Sequence, residues 1–216
     1  MPSTEFERFR FSFFEDSDSA RQGLDTLALA GLKGEERTRA EDMLIDYLPD
    51  TRGVIGLGVL RSQRAQPLLA RMFEAELQGR SVASLAAKGA LTPYVLVALA
   101  KALWRIRPDP RWAAALIDWL VHAREPLQRM DAAIALHDVR DGVAVRALIA
   151  ALDDDEPLLR HHAARGLLAL HGLPATSEET EHMMYRVMSK DVARREGGKR
   201  DVLAAIAGRA IVVEAD

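Results

Sequence analysis

The sequence predicts an all-α protein in which antiparallel helix pairs stack one after another along the chain. A segment that begins at Glu125, EPLQRMDAAIAL, recurs 31 residues later at Glu156 as EPLLRHHAARGL. Much of the 49% hydrophobic content is alanine and leucine, which are strong helix formers. Proline and glycine separate segments of helical length. A repeat of this length, made of apolar helical segments, is typical of stacked-helix arrays rather than of closed globules.

Capping and helix-breaking residues divide the first part of the chain into helices. Ser17, Asp18 and Ser19 are suitable N-caps for a helix that ends near Gly31. The next predicted helices cover residues 35–48, 51–60 with Asp50 as the cap, 67–79 and, less clearly, 82–88.

The spacing of the breaks becomes regular after Pro93. The predicted helices cover residues 93–106, 110–122, 126–138, 142–152, 157–170 and 178–189, and a last helix over 199–209 follows a break at Gly197-Gly198. The connections are short, so neighbouring helices are expected to lie antiparallel. Alanine pairs such as Ala132-Ala133 and Ala163-Ala164 stand where two helices must approach closely, because bulk there would overpack the contact.

The N-terminal FERFRFSFF segment is open to two structural interpretations. Phe9, Phe11 and Phe13 alternate as in a strand, whereas Phe6, Phe9 and Phe13 form one stripe of a helix. The segment is either a cap over the apolar end of the array or an aromatic arm that docks on another subunit or a partner. We therefore divide the chain into an arm or cap (1–16), a single repeat domain (17–209) and a C-terminal tail (210–216).

The segment LDDDEPLLRHHAARGLLAL, residues 152–170, resembles the HEAT-like repeat named after phycobilisome lyases. The shared features are an acidic turn, a proline opener, an arginine, a small-residue pair and a leucine. The match is clear over residues 91–170 and looser back to Asp50. The resemblance implies a right-handed α-α superhelix whose second helices line a concave face. It implies little about function, because the family includes scaffolds, lyases, hydroxylases and DNA glycosylases.

The net charge, the cysteine content and the distribution of apolar residues argue against several functional classes. The net charge is -3 with both signs mixed along the chain, so the strongly basic surface usual for nucleic-acid binders is absent at this level. The lack of cysteine excludes disulfides, cysteine nucleophiles and cysteine metal sites. The N-terminus has no apolar signal region, and no window approaches the roughly 18 apolar residues of a membrane span. We expect a soluble, cytoplasmic protein without a membrane partner.

Two clusters, one acidic and one of histidines, are possible functional sites, and each is better explained by a structural role. The acidic run Asp153–Glu156 is expected to cap a helix and to pair with an arginine of the adjacent repeat, since contiguous acids are a poor divalent-cation site. His161 and His162 point about 100° apart on a helix, so they rarely share an ion. The related deoxyhypusine hydroxylases use His-Glu pairs, and this chain contains none. We assign no catalytic residue, cofactor or metal.

Two further clusters, one basic and one of tryptophans, are also better explained by structural roles. The basic residues around Gly197-Gly198 are expected to form a salt-bridged turn, and their acidic neighbours cancel much of the charge. They are Lys190, Arg194, Arg195, Lys199 and Arg200. Trp112 and Trp119 share a stripe with Leu116 and Leu120, which favours a core position over a DNA-binding groove.

The leading functional hypothesis is a non-enzymatic scaffold that binds a protein or peptide on the concave face. Leu116/Leu148, Ile117/Ile149 and Leu120/Leu152 are expected to be buried, with an exposed row of Ala114/Arg146, Ala115/Ala147 and Asp118/Ala150 beside them. The candidate partner contacts are Arg111, Asp118, His122 and Arg146. The alternative is a nucleic-acid-binding or DNA-glycosylase-like protein, and a metal-dependent enzyme is a third hypothesis. The sequence does not indicate the oligomeric state.

Overall fold

The computed structural model describes residues 2–14, 23–87, 93–173 and 176–212, and in these ranges the regular secondary structure is entirely helical. The helices are α1 (Thr4–Phe14), α2 (Thr26–Gly31), α3 (Gly34–Asp46), α4 (Thr51–Val59), α5 (Gln66–Leu77), α6 (Val82–Ala87), α7 (Pro93–Ile106), α8 (Pro110–His122), α9 (Pro126–Leu136), α10 (Gly142–Ala151), α11 (Pro157–Leu170), α12 (Glu178–Val187) and α13 (Val192–Ile206). The all-α prediction is confirmed. None of the described helices has the length and apolar content needed to cross a bilayer.

Local capping chemistry sets most helix starts where the sequence predicts them. The Asp50 side chain accepts from the Arg52 N–H at 2.8 Å, and that of Asp141 accepts from the Val143 N–H at 2.9 Å. Ser177 caps α12 by accepting from the Thr180 N–H. Each bond satisfies a first-turn donor that has no partner within its helix.

Two predicted boundaries are wrong. Residues 23–25 are not helical, and α2 begins at Thr26 with Asp25 as its cap; the predicted caps Ser17, Asp18 and Ser19 lie outside the described residues. Gly197 and Gly198 do not break the last helix, because α13 runs through both. A Cβ atom on Gly198 would lie 2.7 Å from the Val187 backbone nitrogen, so this glycine permits a close helix contact rather than a turn.

The N-terminal segment forms helix α1, which excludes the strand interpretation for residues 4–14. Phe6, Phe9 and Phe13 are buried in the chain's own fold, while Phe11 is 49% exposed. The ring of Phe13 contacts that of Tyr47 edge-on at 4.7 Å between centroids. The stripe of three phenylalanines therefore acts as internal packing.

The chain divides into two compact units, and the first contains residues Met1–Gly79 and Ala98–Trp112. In it α1 packs on α2, α3 packs on α4, and α2 packs on α4. Gly58 of α4 faces Ala102, and a Cβ atom at Gly58 would lie 2.8 Å from the Ala102 Cα. The interior of this unit is filled by aliphatic residues such as Leu29, Leu44 and Leu57, which are fully buried.

The second unit contains residues Arg80–Val97 and Ala113–Asp216. Its helices pack serially: α9 contacts α10 and α11, α10 contacts α11, α11 contacts α12 and α13, and α12 contacts α13. Ala132 and Ala163, which are equivalent in the repeat, are both fully buried, as the sequence predicts. The division of the chain into arm, single repeat domain and tail stays a prediction, as does the superhelical arrangement.

Candidate functional site

Two arginines at equivalent repeat positions anchor the helices of the second unit. Arg129 of α9 donates to the Ala123 carbonyl at 3.3 Å, and Arg160 of α11 donates to the Asp154 carbonyl at 2.6 Å. Each acceptor lies six residues before its arginine. The sequence repeat is therefore accompanied by a repeat in hydrogen bonding.

The acidic run before α11 is engaged in structural bonds. Asp154 accepts from the Arg129 guanidinium at 3.0 Å, as predicted for an arginine of the adjacent repeat. Asp153 pairs with Lys199 of α13, with 2.6 Å between the Lys199 Nζ and Oδ2 atoms. Glu156 caps α11 by accepting from the Leu158 N–H. In the described residues no group of three His, Asp or Glu side chains is placed to hold a metal ion.

Arg160 is held by backbone carbonyl groups. The side chain is 1% exposed, and its guanidinium donates to five backbone carbonyls, those of Asp154, Asp155, Val187, Met188 and Ser189. Burial and the nearby Arg195 lower the pKa of Arg160. The residue joins the turn before α11 to the end of α12, which is a structural task.

Three of the four predicted partner contacts are exposed, and the fourth is half-buried. His122 and Arg146 are exposed, Asp118 is half-buried, and the His122 Nδ1 lies 3.0 Å from the Asp118 carbonyl oxygen. Arg111 stacks on the Trp112 ring with its guanidinium carbon 4.1 Å from the ring centroid, and it also pairs with Asp109 at 3.3 Å. Arg111 belongs to the first unit and the other three to the second, so we describe them separately.

The predicted buried and exposed rows of α8 and α10 are only partly correct. Leu116/Leu148 and Leu120/Leu152 are buried in both helices. Ile117 and Ile149, predicted to be buried, are only half-buried. Ala115, predicted to be exposed, is buried, because it shares the inner side of α8 with Trp112 and Trp119. Ala147 and Asp118, also predicted to be exposed, are half-buried.

Trp112 and Trp119 are core residues, as their stripe predicts. Trp112 is 2% exposed and Trp119 is 1% exposed, and Trp112 contacts Phe73 edge-on at 5.3 Å between ring centroids. Neither ring is available as a stacking platform for a base. These two rings therefore give no support to a DNA-binding groove.

The histidine pair of α11 lies in a partly buried environment. The rings of His161 and His162 are 5.2 Å apart, and the His137 Nε2 is 2.8 Å from the His162 carbonyl oxygen. Burial, with a contribution from Arg165, lowers the pKa of both His161 and His162. Burial also raises the pKa of Asp131, at the position equivalent to His162 one repeat earlier.

A groove that the sequence does not predict lies between α12 and α13. It has a volume of about 650 Å³ and is lined by Glu178, Glu179, His182, Met183, Asp201, Ala204 and Ala205. The sequence indicates Glu178 and Glu179 only as partners of the helix dipole. The groove depends on where α13 lies. The predicted start of this helix comes after Gly197-Gly198, so the sequence does not predict the groove.

No protein-family model, curated protein or solved structure matches this chain significantly.

Proposed function

We propose that this chain is a HEAT-like repeat protein that binds another protein or a peptide and has no catalytic role. Its binding surface is formed by the exposed stripes of α8 and α10. These two helices occupy equivalent positions in the repeat, and in such arrays the second helix of each pair faces the bound partner.

The observation that supports the proposal is the shared division of these helices into buried and exposed stripes. Leu116 and Leu148 are fully buried, while Ala114 and Arg146, two positions earlier in each helix, are exposed. Val121, on the exposed side of α8, is 63% exposed. Short side chains beside isolated charges leave room for an extended peptide or a helix to approach the backbone.

The charges on the two stripes favour one orientation of a bound partner segment. Asp118 and His122 lie on α8, and Arg146 lies on α10. A partner segment with a basic group over α8 and an acidic group over α10 would match both. Such complementarity contributes more to specificity and association rate than to affinity.

Selection from a random peptide-display library on the immobilised full chain tests this proposal. Enriched peptides are then measured by fluorescence anisotropy against wild type and against Asp118→Lys combined with Arg146→Glu. We expect the dissociation constant to rise about tenfold or more, as is usual when central charged contacts are reversed. The melting temperature should fall by no more than a few degrees, because Arg146 is exposed and Asp118 is only half-buried.

A matched charge swap elsewhere serves as the control. Asp155 and Arg165 are both exposed, and Asp155→Lys with Arg165→Glu changes the same charges away from α8 and α10. This control should bind as wild type does. Equal affinity of wild type and the Asp118/Arg146 variant would remove the assigned surface. Duplex DNA binding with a steep salt dependence would favour the nucleic-acid alternative instead.

A further inference from the structure

The groove between α12 and α13 combines an apolar floor with an acidic rim. Met183, which is 9% exposed, lies at its base, and the small Ala204 and Ala205 leave it open on the α13 side. Near its other end, Gly197 and Gly198 let Arg186 of α12 pack directly on α13. Its volume of about 650 Å³ falls in the usual range for ligand-binding pockets.

The carboxylates around the groove are not equally compensated. Asp201, which lines the groove, pairs with Arg186. Glu178 and Glu179 are exposed at the rim, and in the described part of the chain no salt bridge is recorded for either one. The groove therefore presents two available negative charges above an apolar surface.

We infer that this groove binds a segment of a partner protein that alternates arginine or lysine with aliphatic residues. The aliphatic stems of such cations cover apolar surface while their charged ends stay near water. Here the stems would lie on Met183 and Ala205, and the charged ends would reach Glu178 and Glu179. Methionine adapts its shape to different apolar groups, which suits a floor that accepts a peptide.

The helix dipole gives the rim acids a second role that the test must separate from binding. Glu178, Glu179 and Glu181 all lie in the first turn of α12, where acids stabilise the helix. Glu181 is exposed but does not line the groove. It is therefore a control that shares the dipole position of its neighbours without their access to the groove.

The probe is a short fluorescein-labelled peptide that alternates leucine and arginine, measured by anisotropy with the full chain at low salt. Two matched peptides carry citrulline or glutamate in place of every arginine. We expect only the arginine peptide to bind. Glu178→Gln combined with Glu179→Gln should weaken its binding about three- to tenfold, the range for two exposed ion pairs.

Two further variants define the site. Glu181→Gln should bind as wild type does, and Ala205→Leu, which adds bulk inside the groove, should weaken binding. Circular dichroism checks that each variant is folded. Asp118→Lys with Arg146→Glu should keep the affinity for this peptide, because none of the groove residues belongs to the α8 and α10 surface. A failure of peptide binding in the α12–α13 groove is therefore distinguishable from a failure of partner binding on α8 and α10.

The inference is overturned if wild type binds none of the three peptides. It is equally overturned if the citrulline peptide binds as tightly as the arginine peptide, or if Glu181→Gln weakens binding as much as the Glu178/Glu179 variant does. Binding that persists undiminished in Ala205→Leu would place the peptide elsewhere on the chain.

Discussion

Replacing Arg160 with methionine tests how the helices of the second unit are held together. The guanidinium is 1% exposed and donates to five carbonyls at distances between 2.6 and 3.3 Å. Methionine retains part of the apolar volume but provides no donor. The substitution therefore leaves the turn before α11 and the end of α12 without their common partner.

The expected magnitude follows from the number and burial of these bonds. Hydrogen bonds from a charged donor contribute about 1.5–3 kcal/mol each, but they are not additive when one group makes them all. Removing the burial cost of the charge and its repulsion with Arg195 offsets part of the loss. We expect the free energy of unfolding to fall by about 3 kcal/mol, within the range for breaking a buried polar network.

Arg129→Met is the matched control, because Arg129 holds the equivalent position in the preceding repeat. Its side chain is 19% exposed, and within the part of the chain that the structure describes it bonds to Ala123 and Asp154. The expected loss is about 1 kcal/mol. Urea unfolding followed by circular dichroism measures both variants. Equal losses in the two variants would show that the bonds of Arg160 to the end of α12 contribute nothing, and the reasoning would be refuted.

Two other predictions concern close packing and protonation. Gly198→Ala should destabilise the protein by about 1–3 kcal/mol through overpacking against Val187. In an open helix interior the same substitution stabilises the helix. Gly142→Ala is the control and should be near neutral in the same urea assay, because a new Cβ atom there meets only the flexible end of Arg146 at 3.5 Å. Burial lowers the pKa of His161 and His162 below 6.5, so the unfolded chain binds protons first and the free energy of unfolding should decrease as the pH falls through and below 6.5. Urea midpoints at about pH 7.5 and about pH 5.5 should differ less in a variant with glutamine at both positions, and an unchanged difference would contradict this assignment.

Features set by neighbours in the chain could be predicted from the sequence. The caps at Asp50, Asp141 and Ser177 depend on residues two or three positions away, and each forms as expected. The repeat likewise identified Arg129 and Arg160 as equivalent. The partners of Arg160 could not be predicted, because backbone carbonyls leave no residue-specific signal.

The error at Gly197-Gly198 has a different origin. A glycine pair looks the same in sequence whether it makes a turn or a close helix contact, and the contacting atoms here belong to Val187 and Arg186 on another helix. The spacing from the helix cap nevertheless indicates that Gly198 is a packing position. Gly198 lies seven residues after the cap Asp191, as Ala132 and Ala163 lie seven residues after their own caps. All three positions require a small residue.

The bonds of Arg160 also bear on how this protein could be shortened for crystallisation or NMR. In arrays whose helix pairs are self-contained, a cut between pairs does little harm. Here a cut after Leu170 would remove Val187, Met188 and Ser189, and Arg160 would lose three of its five carbonyl acceptors. Versions that keep the chain through Ile206 would preserve those acceptors, so useful end points lie beyond α13.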